Sequence, residues 1–222
     1  MNFAWGPTYL IYNPDVVTTP PDSWATLLDE QYKGKIAAWN APIQLAQYAL
    51  LLDPKPEDPY QLTDDQIAQV KDMLDKQRPL LRLYWGTGTD LAEAWVNKEV
   101  VISDAWPWIT LQIKDAGGSV TEVFPKEGVT GWSDSWMISK NAKNPDLCLK
   151  WADYMIGPEG QMGIVNAVDY SITNKVVAEQ LTPEQRTQLR LDNVAEEYAK
   201  IYMWKKKDDA KWLQTWQEAT AG

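Results

Sequence analysis

The stretch "GWSDSW", residues 131–136, places a carboxylate between two tryptophans. On a strand, the period-2 alternation of side chains sends Trp132, Asp134 and Trp136 to one face. Two indole planes and an anion on one face suit an organic cation, held by cation–π contact and a charge-assisted hydrogen bond. The same pattern also describes a half-buried strand whose aspartate reaches water, and that reading stays open. Thirteen Trp and ten Tyr against two Phe favour a ligand surface over a core that needs only bulk. Indole and phenol add an electron-rich face and a polar handle that Phe lacks.

Most other chemistry is excluded or weakly signalled. The chain has no histidine, which removes the commonest general base and metal ligand and rules out histidine triads. Cys148 is the single cysteine, so neither an intrachain disulfide nor a cysteine-rich metal site can form. "GTGTD" (86–90) lacks the Walker lysine and the dinucleotide spacing, and reads as a turn with Thr89 or Asp90 capping the next helix. The pairs Asp64-Asp65, Glu196-Glu197 and Asp208-Asp209 read as solvated helix faces or caps, as does the lysine run 205–207. No catalytic residue, metal ligand or cofactor is expected. A net charge of −10 argues against nucleic acid and is compatible with a cationic solute. No apolar run approaches the roughly 18 residues of a membrane span.

The elements that must position these residues alternate. Strands are expected at 8–13, 34–39, 81–85, 99–104 and 120–125, with helices at 40–52, 62–79, 89–97 and 106–116 between them. Asn40 is the expected cap of the helix after strand 34–39, and Asp22 or Ser23 caps a short helix near 23–29. Such alternation signals a parallel α/β sheet. After Gly131 comes one strand, 132–138, and then helices at 144–156, 157–168, 182–190 and 209–220, which need a sheet the chain hardly supplies. The opening "MNFAWGPTYLIYN" reads as strand at once and shows no signal-peptide pattern. Ligands of open α/β sheets bind outside the carboxyl ends of strands. Asn40, Asp104, Trp106, Trp132 and Asp134 fall at such ends, and Tyr170 falls in a loop after a helix.

The segments "AWGPTYLIYN", "SWATLLDEQYKGKIA", "EVVISDAW", "FPKEGVTGWSDSWMISKNAKNPD", "YMIGPEGQ" and "VDYSITN" follow one another in an order that resembles the spermidine/putrescine-binding proteins. These are substrate-binding components of ABC importers. The resemblance implies a type II periplasmic binding protein fold, with 8–125 as a complete α/β lobe and 132–222 as the helix-rich part of an incomplete one. Hinge crossings are then expected near 4–8 and 123–131. It further implies a periplasmic or extracellular protein that is not an enzyme, closing on a solute and delivering it to a membrane permease. In the family, aromatic rings sandwich the ligand's methylenes and carboxylates hold its ammonium groups. Carried over, Trp106, Trp132 and Tyr170 supply rings and Asp134 the counterion.

Where polyamine binders place acids after the "GK" strand, this chain has Asn40 and Gln44, both neutral. Neutral amides cannot neutralise a second ammonium, so a ligand with one cationic centre is expected. A carbohydrate-binding or carbohydrate-active protein, using Trp with Asp134 and Asp104, is the alternative. Helices 144–168 are expected to expose apolar faces that favour self-association.

Overall fold

A computed structural model of the protein describes residues 1–205 and 210–221. Of the sequence-stretch readings above, Lys206, Lys207, Asp208 and Asp209 lie outside the described residues. The chain opens with β1 (Asn2–Pro7) and β2 (Tyr9–Tyr12) and reaches β3 (Ile36–Trp39) through two short 3-10 turns. Then follow α1 (Gln44–Ala49), α2 (Asp64–Gln77), β4 (Leu81–Trp85), α3 (Gly88–Val96), β5 (Ile102–Ala105), α4 (Pro107–Asp115) and β6 (Thr121–Val123). Next come β7 (Val129–Ser135), α5 (Pro145–Ile156), α6 (Pro158–Val168), β8 (Ser171–Ile172) and α7 (Lys175–Gln180). The chain ends with α8 (Pro183–Gln188), α9 (Val194–Ala199), β9 (Ile201–Met203) and α10 (Ala210–Thr220). Two compact units result: Met1–Pro7 with Gly131–Met203, and Thr8–Thr130 with the segment from Trp204 onward.

The second unit, built on Thr8–Thr130, carries a five-stranded sheet in the order β4-β3-β5-β2-β6. β3 is parallel to β4 and β5, while β2 is antiparallel to β5 and β6. The sheet is therefore mixed, which corrects the all-parallel expectation. A parallel neighbour needs a helical crossover, and α2, α3 and α4 supply one after β3, β4 and β5. β2 has no such helix before or after it. The α2 helix starts on a capping box between Thr63 and Gln66 and buries Ile67, Val70 and Leu74 at helical spacing. α10 packs on α2, and Arg78 donates to the carbonyls of Ala219 and Ala221 at 3.2 and 2.9 Å. That contact removes the terminal helix from the 132–222 grouping expected from sequence.

Local caps also differ from the sequence reading. Thr87, not Thr89 or Asp90, caps α3, with Asp90 as the reciprocal partner of the capping box. Asn40 caps nothing, because three residues intervene before α1 and Ile43 holds the cap position without a side-chain bond. Ser23 caps its short 3-10 turn as expected.

The first unit has a four-stranded sheet in the order β8-β1-β7-β9, where one strand was expected. β8 and β9 span two and three residues, too short to show a period in the sequence. In the β1–β7 ladder Gly6 faces Trp132 and Ala4 faces Asp134. Gln161, fully buried on α6, ties the sheet to its helices. Its Nε2 donates to Phe3 O and Met155 O, and its Oε1 accepts from the backbone N–H of Thr173 and Asn174. α5 turns Leu147, Trp151 and Tyr154 to solvent at helical spacing.

One carboxyl group is built into the core of the second unit. Asp104, on β5, is 0% exposed. Its Oδ1 accepts from the Trp39 backbone N–H at 2.9 Å and its Oδ2 from Gln44 Nε2 at 2.6 Å. Burial pushes its pKa from 3.8 up to about 6, against these hydrogen bonds, which pull it down. An acid raised by folding holds its proton more tightly folded than unfolded. The resulting stability is full below about pH 4 and is lost as pH rises to about 6, a change of about 3 kcal/mol. The Asp104→Asn variant lacks this loss. Its unfolding free energy relative to the wild type should therefore rise by about 3 kcal/mol between pH 4 and pH 7.5 in urea titrations. A difference that does not change with pH would refute the buried-charge assignment.

Candidate functional site

Three adjacent parallel strands of the second unit end in tryptophan. Trp85 closes β4, Trp39 closes β3 in register with it, and Trp106 follows the last residue of β5. This is the sheet edge where ligands of open α/β sheets collect. Trp85 is fully buried and forms the base. Trp39 stacks on it at 5.9 Å between ring centroids, and Trp106 stands edge-on to both, at 5.0 Å from Trp39 and 5.3 Å from Trp85. Trp204 stacks on Trp39 at 5.1 Å with 20° between planes. Trp39, Trp106 and Trp204 all keep part of their surface in solvent. The indole Nε1 atoms of Trp106 and Trp204 are nonetheless buried, with no hydrogen-bond partner among the described residues.

The predicted polar residues around this group have unequal roles. Asn40 is exposed at the sheet edge, and its Oδ1 accepts from Trp216 Nε1 at 3.3 Å. Gln44 is 2% exposed and donates to Asp104. Gln44 and Asp104 are thus buried and bonded to each other in this structure: Asp104 accepts from the Trp39 backbone N–H and Gln44 holds Asp104. Asp104 cannot act as the second carboxyl of a carbohydrate site either, since its oxygens are buried and engaged. The backbone N–H of Asn40 donates to Trp85 O at 2.9 Å, continuing the ladder that aligns the row.

In the first unit, Trp132 and Tyr170 meet with ring centroids 4.3 Å apart and planes at 62°. Tyr170 immediately precedes β8, and β1 runs between β8 and β7. The Trp132 ring therefore has to cross β1 to reach Tyr170, and it does so over Gly6. A Cβ at Gly6 would lie 2.6 Å from Trp132 Cζ2, so no larger residue fits beneath the ring. Asp134 shares the strand face of Trp132 and is exposed. Partial burial beside these rings raises the pKa of its carboxyl. Burial and then the Asp134 charge push Tyr170 up to about 12, so the phenol stays protonated and remains a donor at neutral pH.

Trp136 does not join this group. β7 ends at Ser135, and the Trp136 ring stacks on Phe3 at 5.1 Å and stands edge-on to Trp151. A separate cavity of about 590 Å³ in this unit, lined by Trp5, Ser133, Arg186 and Tyr198 among others, holds none of the predicted residues. It lies on the other face of the sheet, since Trp5 and Ser133 alternate with Gly6 and Trp132.

The seven predicted residues thus fall into two groups, Asn40, Gln44, Asp104 and Trp106 in one unit and Trp132, Asp134 and Tyr170 in the other. The tryptophan row also contains Trp39, Trp85 and Trp204, which the sequence reading did not single out. The first two carried a usable signal, a tryptophan closing each strand that precedes the Trp106 strand. Trp204 carried none, because it reaches the group from a distant part of the chain.

Among the described residues no helix is long and apolar enough to cross a membrane, and no cluster of potential metal ligands occurs. A spermidine/putrescine-binding periplasmic protein of Escherichia coli (strain K12) is 26% identical over 191 residues, covering 82% of this chain and 51% of that protein. The putrescine-binding periplasmic protein PotF of the same organism is 26% identical over 245 residues, covering 100% and 65%. The chain therefore spans about half to two thirds of the length of these relatives. A solved structure described as a putative spermidine/putrescine ABC transporter from Listeria monocytogenes superposes with a TM-score of 0.83 at 19% identity, over 99% of this chain and 67% of that one. The spermidine/putrescine substrate-binding protein PotD of Streptococcus pneumoniae gives 0.80 at 21%, over 99% and 66%. These likenesses give the fold, that of type II periplasmic binding proteins. The sequence matches the bacterial extracellular solute-binding protein family over residues 1–190, and the chain belongs to that family.

Proposed function

We propose that this protein is the solute-binding component of an ABC importer that captures a small organic cation with a single cationic centre. The observation that carries the reading is the group in the first unit: one carboxylate on the strand face of an indole that is packed against a phenol. An ammonium there donates a charge-assisted hydrogen bond to Asp134. It also gains about 0.5 to 2 kcal/mol of cation–π attraction from each ring face it meets. Kinship with polyamine-binding relatives supports an amine as the recognised group. The scarcity of acids supports a single centre. At the tryptophan row the positions expected to carry acids are amides, and Asp104 is closed off beneath Trp39. The protein then works as a binding protein outside the cytoplasm and hands its solute to a membrane permease. A carbohydrate role has no comparable support, since the relatives named above bind amines.

Calorimetric titration of the 222-residue chain with tetramethylammonium, putrescine and spermidine tests the reading. A monocation is expected to bind at least as tightly as spermidine, and Asp134→Asn should weaken it about tenfold or more, the scale of one charge-assisted bond. Spermidine binding clearly tighter than the monocation would refute the single-centre assignment. Gly6→Ala provides a second check that leaves Asp134 untouched. The added methyl displaces Trp132 from Tyr170, so affinity should fall several-fold while unfolding free energy drops by about 1 to 3 kcal/mol. Unchanged affinity in a folded Gly6→Ala protein would remove the Trp132–Tyr170 pair from the site.

A further inference from the structure

Gln44 is buried at the start of α1 with only half of its amide engaged. Its Nε2 donates to Asp104 Oδ2 at 2.6 Å, while its Oε1 has no hydrogen-bond partner among the described residues. Asp104 is equally one-sided. Both its oxygens accept, Oδ1 from the Trp39 backbone N–H and Oδ2 from Gln44. After burial, the groups that act most on this carboxyl are neutral: Gln44, the backbone N–H groups of Trp39 and Asp104, and the Trp85 indole. On α1, Tyr48 lies near enough for the Asp104 charge to help raise its pKa, behind burial, so the phenol stays protonated; it bonds Gln77. Leu10 of β2, opposite Asp104 in the ladder, carries no charge.

A proton on Oδ2 changes what Gln44 must supply. The acid then carries an O–H that donates, and an amide N–H facing it leaves two donors opposed. A half-turn of the terminal carboxamide removes the conflict, because it brings the unpartnered Oε1 round to accept. The rotation exchanges nitrogen and oxygen in nearly the same volume and needs no movement of α1. Gln47, one turn along the same helix, is a neighbour for the Nε2 so released, with neither atom of its own buried amide partnered.

We propose that Asp104 and Gln44 form a proton-operated amide switch that sets how firmly the Trp39 end of β3 is held. In the charged state the Trp39 N–H donates to an anion; in the neutral state it donates to a carbonyl oxygen, which is the weaker bond. Acid thus loosens the hold on Trp39 and on the rings stacked against it, Trp85 and Trp204. The chain has no histidine, so no side chain at its ordinary pKa changes charge between pH 5 and 8. Burial brings Asp104 into that range, at about 6. The switch lies wholly within the second unit and operates whichever solute is bound.

The test follows the Asp104 carboxyl by carbon-13 NMR from about pH 4 to pH 8 in the whole chain. An amide that serves both protonation states favours neither, so Gln44→Met should leave the midpoint within about half a pH unit of the wild-type value. An amide fixed with Nε2 toward the acid serves the charged state alone. Gln44→Met would then raise the midpoint by about one pH unit or more, which would overturn the switch. In the wild type, nuclear Overhauser contacts between the Gln44 NH2 protons and the Asp104 side chain are expected in the alkaline half of the titration and should be lost in the acid half. They should be absent throughout in Asp104→Asn, whose NH2 donates as the protonated acid does. Contacts that persist through the titration and in Asp104→Asn would overturn the switch, whether or not Gln44→Met folds. So would a wild-type midpoint near the ordinary carboxyl value of about 4.

Discussion

The backbone N–H of Trp39 is donated to a carboxylate and not to a neighbouring strand's carbonyl, and the tryptophan row depends on that exchange. β3 ends where its ladder with β5 runs out, and Asp104 reaches across to supply the missing acceptor. A buried carboxyl costs desolvation, visible in its raised pKa, and it is retained because it binds two donors at once. One holds the strand end that carries Trp39, and the other holds Gln44 at the start of α1. With both in place, Trp85, Trp39 and Trp106 sit side by side as the ends of parallel strands. A hydrophobic residue at 104 would fill the volume but leave the Trp39 N–H without a partner, the costlier defect in a dry site.

The first unit solves its placement problem by subtraction. An indole on β7 and a phenol beside β8 are separated by β1, and only a position without a side chain lets them meet. Gly6 is that position, with Trp132 covering the exposed backbone it would otherwise leave. Pairing a bulky ring with a cross-strand glycine also pins the register, because a slip of one residue would drive Trp132 into Pro7 or Trp5. From the helix side, Gln161 ties β1 to the segment that follows β8, through Phe3 O and the N–H groups of Thr173 and Asn174.

Much of this was legible in the sequence, and the gaps have physical causes. Long amphipathic stretches such as α2 and strand–helix alternation across 34–116 set the second unit's elements, because period and length are local properties. Strand direction was not local. β2 lacks a crossover helix on either side, a feature that reads as a plain loop until pairing is known. The four-stranded sheet of the first unit escaped because β8 and β9 are too short to carry a period, and they join β1 and β7 respectively from far along the chain. Among the candidate residues, type and strand-end position pointed to Trp106, which packs into the tryptophan row, and to Trp132 and Asp134, which share a strand face. The same criteria did not show that Asp104 and Gln44 are buried and bonded to each other, because sequence does not reveal whether a strand-end polar group faces solvent or a neighbouring strand's N–H. Trp136 shows the limit of alternation as an argument: the period ends with the strand, one residue earlier.

The distribution of charge at the two groups bears on what the protein selects. Acidic chains attract cations generally, and a net charge of −10 steers without discriminating. Discrimination comes from local groups that are left unpaired by the wrong solute. At Asp134 the unpaired group is an anion beside aromatic faces, which a neutral or anionic solute cannot satisfy. At the tryptophan row the groups without a partner among the described residues are the buried Nε1 donors of Trp106 and Trp204. With Asn40 and Gln44 where acids were expected after β3, that strand end carries amides in place of charges. Gln44 makes the change durable, since its amide is committed to Asp104 and cannot turn outward without unpairing a buried carboxylate.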